Sequence, residues 1–281
     1  MLKRTFLHLE KYRTVSAEKE LRNKGLSTWE DLLGQSPPDK ETSGETPQWY
    51  ADSMRALEAG DVDWFAERIP EKEHFRLALA FPDESAFVDI ETTGLSRHWD
   101  QTTIIGWSIG GRYDVVVFGR DDPSRFLADL TRAKALVTFN GKCFDLKFLL
   151  KDLGQFAYPK AHADLRFVGR RAGFSGGQKA IEIAIGCQRQ DDDVGGGAEA
   201  VKLWLEYRRA GAAAKRALRR LIVYNHADVE GMKHIFDACA ERLTAAEILP
   251  DFPGRPGLFA RRAARFDFSD PDNFPFSLDL M

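Results

Sequence analysis

Two carboxylates set two residues apart inside an apolar run constrain this chain more than anything else in it. The segment Ser85-Ala86-Phe87-Val88-Asp89-Ile90-Glu91, bounded by Thr92-Thr93-Gly94, reads as a β-strand. Side chains alternate across a strand, so Asp89 and Glu91 project from one face. Ala86, Val88 and Ile90 take the other face and supply core. Two anions side by side on a central strand repel each other unless a cation lies between them. For the pair taken alone, a strand end carrying two solvated acids ahead of a turn is the more ordinary reading.

The pattern around this strand predicts a mixed sheet covered by helices. Residues 103–110 and 113–118 fit two further strands, joined through Gly111-Arg112 as a hairpin. Leu127 to Ala133 is helical, Ala135 to Phe139 is a short buried strand, and a helix begins near Lys142. Another strand falls at His162-Ala163-Asp164-Leu165, and the chain is mostly helical from there to about residue 245. An antiparallel pair followed by alternating strands and helices belongs to the α/β class. Ahead of it, residues 1–36 form a helical leader whose last helix is capped by Ser27 or Thr28, with Glu30 and Asp31 in its first turn. Residues 37–83 divide into a proline-containing linker and a helical segment, and residues 246–281 form an irregular tail.

Two more acids share the sheet's expected working edge. Asp145 follows Phe139-Asn140-Gly141, where a strand turns into a helix at the end of the sheet that binds ligands in open α/β folds. An acid in a first helical turn is also favoured by the helix dipole alone. Asp228 lies on or beside the apolar stripe of Leu218, Leu221, Ile222, Val229, Met232, Ile235 and Phe236, with Tyr224 one turn earlier on the same side. An inward-facing carboxylate is costly unless something pairs with it, and the Tyr224 hydroxyl is itself one such partner.

Together these residues resemble the DEDD exonuclease superfamily. Val88-Asp89-Ile90-Glu91-Thr92-Thr93-Gly94-Leu95 resembles its first motif, Asn140 to Asp145 its second, and Tyr224-Asn225-His226-Ala227-Asp228 its third. Val223 stands where one branch carries histidine and Tyr224 where the other carries tyrosine, so the likeness is to the tyrosine branch. Within that branch the chain is similar to YprB-like ribonuclease-H-fold proteins, on His162 to Leu165, Lys179 to Glu182 and Trp204 to Tyr207.

The resemblance implies a ribonuclease-H-like exonuclease domain over residues 84–245 and a 3′–5′ exonuclease acting on RNA or DNA, with a single-stranded 3′ end as substrate. It further implies Asp89, Glu91, Asp145 and Asp228 as ligands of two Mg²⁺ or Mn²⁺ ions, hard cations suited to oxygen donors. Tyr224 is the implied catalytic residue, orienting the attacking water. Thr92, Thr93, Gly94 and Leu95 are the implied contacts to the terminal nucleotide, with Asn140 either touching the next nucleotide or capping its turn. The alternative is a protein that keeps the fold and binds nucleic acid as an inactive scaffold.

Bulk properties neither add to this nor remove it. A formal net charge of −3 over 281 residues gives no general basic surface. Arginines do cluster locally, at Arg166, Arg170 and Arg171 and again from Arg208 to Arg220, where phosphates or plain solvent are both suitable company. Cys143, Cys187 and Cys239 form no CxxC pair, against a zinc knuckle or a disulfide framework. Asp191-Asp192-Asp193 lacks the spacing of a calcium loop. No apolar run approaches the roughly 18 residues that cross a membrane, and a cytoplasmic location is the expectation.

Overall fold

In the computed structural model of the protein, the described residues are 2–35, 46–187, 189, 194–246, 257–263, 268, 274–276 and 278. A single five-stranded sheet organises them, in the order β3-β2-β1-β4-β5. β1 (Ser85–Thr92) is central, antiparallel to β2 (Thr102–Ile109) and parallel to β4 (Ala135–Thr138). β3 (Arg112–Val117) closes one edge antiparallel to β2, and β5 (His162–Asp164) closes the other parallel to β4. This is the mixed, helix-flanked sheet that the sequence pattern implies.

The β2–β3 hairpin turns one residue earlier than expected. Ile109 pairs with Arg112, so the two loop residues are Gly110 and Gly111, both with positive φ (58° and 80°). A two-residue turn that follows the twist of its strands needs positive φ at both positions, which glycine supplies without strain. Smaller differences fall at other ends. β4 stops at Thr138, and β5 at Asp164, whose carboxylate accepts the Arg166 N–H and so starts a helix at Leu165. The helix expected from Lys142 begins at Asp145.

Alternation along β1 sorts its side chains between two cores. Ala86, Val88 and Ile90 pack with Trp107, Phe126, Leu130 and Phe148 beneath α6 (Ser124–Arg132) and α7 (Asp145–Leu153). Phe87 faces the other way, against Phe236 and Phe259. That second face is covered by α8 (Leu165–Arg171), α9 (Gln178–Ala184), α10 (Gly197–Arg208) and the long α11 (Ala214–Ala246).

The N-terminal helices belong to the same packing. One apolar cluster runs from Leu2, Phe6 and Trp29 through Phe65 and Phe75 to Phe87, Val137, Ala163, Phe236 and Leu243. Among these, α1 (Val15–Asn23) and α5 (Phe75–Ala80) are joined by the buried Arg76, which bonds Glu18 at 2.6 Å and Glu73 at 2.8 Å. Thr28 caps α2 (Trp29–Gln35): its hydroxyl accepts the Asp31 N–H, and Asp31 accepts the amides of Ser27 and Thr28 in return. The helical segment after the expected linker is α3 (Gln48–Glu58) and α4 (Val62–Ala66), then α5. The linker prolines Pro37 and Pro38, the acidic run Asp191 to Asp193 and most of the tail lie outside the described residues. Of the tail, Phe259 is buried beside Phe87 and Phe236, and Ala260–Arg262 form one 3₁₀ turn.

Candidate active site

The face of β1 turned toward α11 carries the two acids. Because β1 lies at the centre of the sheet, Asp89 is half-buried and Glu91 is buried. α11 crosses this face and presents Tyr224 and Asp228 one turn apart, both buried. Oxygen atoms of Asp89, Glu91 and Asp228 all lie within 4.8 Å of one another. Asp145, the first residue of α7, lines the same cavity but stands outside this three-carboxylate cluster. Its own amide and that of Ile90 donate to its carboxylate. The Ile90 amide is open because β4 pairs with β1 only as far as Phe87.

The cavity has a volume of about 560 Å³ and gathers nearly every residue singled out from the sequence. Asp89, Glu91, Thr92, Gly94, Leu95, Asn140, Asp145, Tyr224 and Asp228 all line it, with Gly197, Ala198 and Val201 of α10 also in its wall. Thr93 is the exception. Its amide donates to the Gln101 carbonyl at 2.9 Å, and its hydroxyl is engaged by Asp100 and by the Gln101 amide, each at 3.1 Å. Thr93 therefore closes the loop behind the cavity. Leu95, 86% exposed, stands at the mouth, and Trp99, 89% exposed, lies on the same loop.

Several residues that the sequence did not single out hold the acids in place. Asn225, fully buried between the candidate Tyr and Asp of α11, donates to Asp89 Oδ2 at 2.9 Å and accepts the Tyr113 hydroxyl at 2.9 Å. Gly106 faces Asp89 across the β1–β2 ladder, and a Cβ there would lie 1.7 Å from Asn225 Oδ1. A glycine in mid-strand is thus the space Asn225 occupies. Both carried a signal: a polar residue on the buried stripe of a helix, and a glycine inside a strand of Thr, Ile and Trp.

Arg189 carried none, since it sits in the loop after α9. Its guanidinium holds Glu182 with two bonds, at 2.5 and 2.9 Å, and reaches Asp228 Oδ1 at 2.5 Å. Gln178 adds a donor to the Asp228 carbonyl at 2.7 Å, and the Lys179 ammonium lies 4.7 Å from the centre of the Tyr224 ring. His226, beside the third motif, turns away to pack on Tyr113 and Phe268. Asp164 is a clamp: it accepts the amides of Asn140 at 2.8 Å and Lys142 at 3.1 Å and so fixes the β4–α7 turn, where Asn140 has a φ of 67°.

Crowded carboxylates out of water resist ionisation. Burial, followed by the charges of Asp228, Glu91 and Asp145, pushes Asp89 well above the ordinary carboxylate range. Burial and then Asp228 do the same to Glu91. Burial also raises Asp145, to about 7, against the pull of its two amide donors. Asp228 is raised by burial although Arg189 opposes the shift. The Tyr224 phenol is pushed far up by burial and by the acids around it, so without a cation it is firmly protonated.

The donor set fits a hard divalent cation. Three carboxylates converge, and Glu91 Oε1 is buried with no hydrogen-bond partner. An orphaned buried anion oxygen is costly, and a cation satisfies it directly.

A profile of the RNase_H superfamily matches residues 86–240, from β1 into α11, spanning every candidate residue. A search of curated proteins finds no significant match. One solved structure, described as the apo form of the nuclease, is 16% identical with a TM-score of 0.44, over 69% of this chain and 87% of that one. Another, the Nibbler EXO domain of Aedes aegypti, is 13% identical with a TM-score of 0.43, over 66% of this chain and 91% of that one.

Two outcomes are expected from the site's electrostatics. Acids raised on folding stabilise the ion-free protein fully below their unfolded pKa near 4, and that stability is lost as pH rises through the folded values, about 7 for Asp145. A cation replaces those protons, so the rise in melting temperature on adding Mn²⁺ should grow from pH 6 to pH 8. A rise of equal size at both pH values would count against the cluster as the site of binding. In the second test, Gly106→Ala should displace Asn225 and weaken Mn²⁺ binding about 10- to 100-fold by calorimetry. Unchanged affinity in the folded variant would remove Asn225 from the support of Asp89.

Proposed function

The chain belongs to the RNase H superfamily, and on that premise we propose that it is a metal-dependent nuclease that removes nucleotides from the 3′ end of a nucleic-acid strand. The observation that carries this is the convergence of Asp89, Glu91 and Asp228 around the unpartnered Glu91 Oε1, inside a cavity that also holds Asp145 and Tyr224. Asp89, Glu91 and Asp228 would hold one Mg²⁺ or Mn²⁺, with Asp145 supporting a second shared with Asp89. Bound there, such ions activate water and stabilise the leaving oxygen of a phosphodiester.

The remaining roles fall to the chain's own groups. Tyr224, whose phenol burial and its acidic neighbours keep protonated in the ion-free site, presents a hydroxyl to the cavity that can orient a water. Thr92, Gly94 and Leu95 line the cavity on the side of the exposed loop, a place for the terminal nucleotide. Leu95 offers an apolar surface against which a base can pack. Asn140 lines the same cavity from the β4–α7 turn. On the sequence motifs, the reading is the tyrosine branch of the DEDD exonucleases, with a YprB-like domain.

One observation favours the alternative of an inactive nucleic-acid-binding protein. Arg189 occupies an oxygen of Asp228 that a cation would need. The two readings part in a cleavage assay on 5′-labelled single-stranded RNA and DNA with Mg²⁺, Mn²⁺ or EDTA. The nuclease reading expects a metal-dependent ladder shortening from the 3′ end, no cutting of a circular strand, and the favoured sugar read from the faster polymer. Asp89→Asn and Asp228→Asn should abolish cleavage, and Tyr224→Phe should lower kcat about 10²- to 10⁴-fold. A folded protein that cuts neither polymer under any metal is the scaffold.

A further inference from the structure

The arginines that follow β5 are not one patch. Arg171 is consumed by the fold: it bonds Glu73 at 2.7 Å and the Lys72 carbonyl at 2.6 Å, and its guanidinium lies 5.6 Å from the centre of the Phe75 ring. Arg166 and Arg170 are both exposed and one helical turn apart on α8, so they share a side. Both line a second cavity of about 530 Å³, with Phe139, Asn140, Phe174 and the loop Ser175-Gly176-Gly177. That volume lies within the roughly 300–1,000 Å³ of ordinary ligand sites.

Position and charge give this cavity its meaning. It shares Phe139 and Asn140 with the carboxylate cavity, so the two adjoin at the β4–α7 turn. Arg166 Nη1 donates to Asn140 Oδ1 at 2.9 Å, which holds one guanidinium at the seam. Among the described residues neither Arg166 nor Arg170 forms an ion pair with a carboxylate, although four acids stand across the seam. Two guanidiniums left uncompensated beside an anionic site are placed for a ligand that brings its own negative charge at a fixed distance from the reacting bond.

We propose that Arg166 and Arg170 form a phosphate subsite for an internal nucleotide of the strand whose end occupies the carboxylate cavity. The inference rests on the nuclease reading and deepens it: the substrate is an oligonucleotide, not a small phosphoester. The path of the strand follows: it leaves the carboxylate cavity past Asn140 and runs toward α8.

Binding and cleavage test this separately. Binding of a 5′-fluorescein decamer, dT or rU, to the full chain is followed by anisotropy in Ca²⁺ at several salt concentrations. Arg166→Ala/Arg170→Ala should weaken binding at least about tenfold and lower the salt slope by about 1.4, the share of two phosphate contacts on a single strand. Arg208→Ala/Arg209→Ala, exposed on the far end of α10, is the control for charge alone. In the second arm, the variant's loss in kcat/KM should be at least about tenfold larger on the decamer than on thymidine 5′-p-nitrophenyl phosphate. An unchanged salt slope overturns the subsite, and so does an equal effect of the control pair or an equal loss on both substrates. A wild-type protein that hydrolyses neither substrate overturns the nuclease reading, while the salt slope still decides the subsite.

Discussion

Like charges forced together away from water are the constraint around which this structure is arranged. Asp89 and Glu91 sit on the central strand, Asp228 descends from α11, and Asp145 closes in from α7. Each stands above its ordinary pKa because burial and its neighbours oppose its charge. Buried anions are tolerated only when paired or hydrogen-bonded. The surroundings supply part of that: Asn225 for Asp89, two amides for Asp145, and Arg189 for Asp228. Glu91 Oε1 is left over. A cation completes the set.

The fold keeps the crowding from relaxing. α11 and β1 belong to different elements, and moving them apart would expose Val229, Met232, Phe236 and Phe87, all buried. Gly106 lets Asn225 enter at a point where any other residue would meet its oxygen at 1.7 Å. The N-terminal helices add to the same core through Trp29, Phe65 and Phe75, with Arg76 bridging buried acids of two segments. They therefore back the sheet away from the cavity, which is lined by residues from β1 onward.

Much of this was legible in the sequence because it rests on local periodicity. The alternation of Val88, Asp89, Ile90 and Glu91 places acids and core on opposite faces, and the apolar stripe of α11 places Tyr224 and Asp228 one turn apart. What was not legible depends on partners distant in the chain. Arg189 reaches Asp228 from a loop with no periodic pattern, and Arg171 differs from Arg170 only because Glu73 lies beneath it. Thr93 looked equivalent to Thr92, yet Asp100 and Gln101 draw it into the loop. The hairpin was misplaced by one residue because the backbone there, not the side-chain pattern, decides where it turns: Gly110 and Gly111 both take positive φ.

The most direct test of the account is anomalous diffraction from crystals grown with Mn²⁺. The account expects an ion bonded to oxygens of Asp89, Glu91 and Asp228 at about 2.1 Å, the distance for a small hard cation, with Arg189 withdrawn from Asp228. An anomalous map with no peak among these carboxylates at saturating Mn²⁺, and Arg189 still on Asp228, would contradict it.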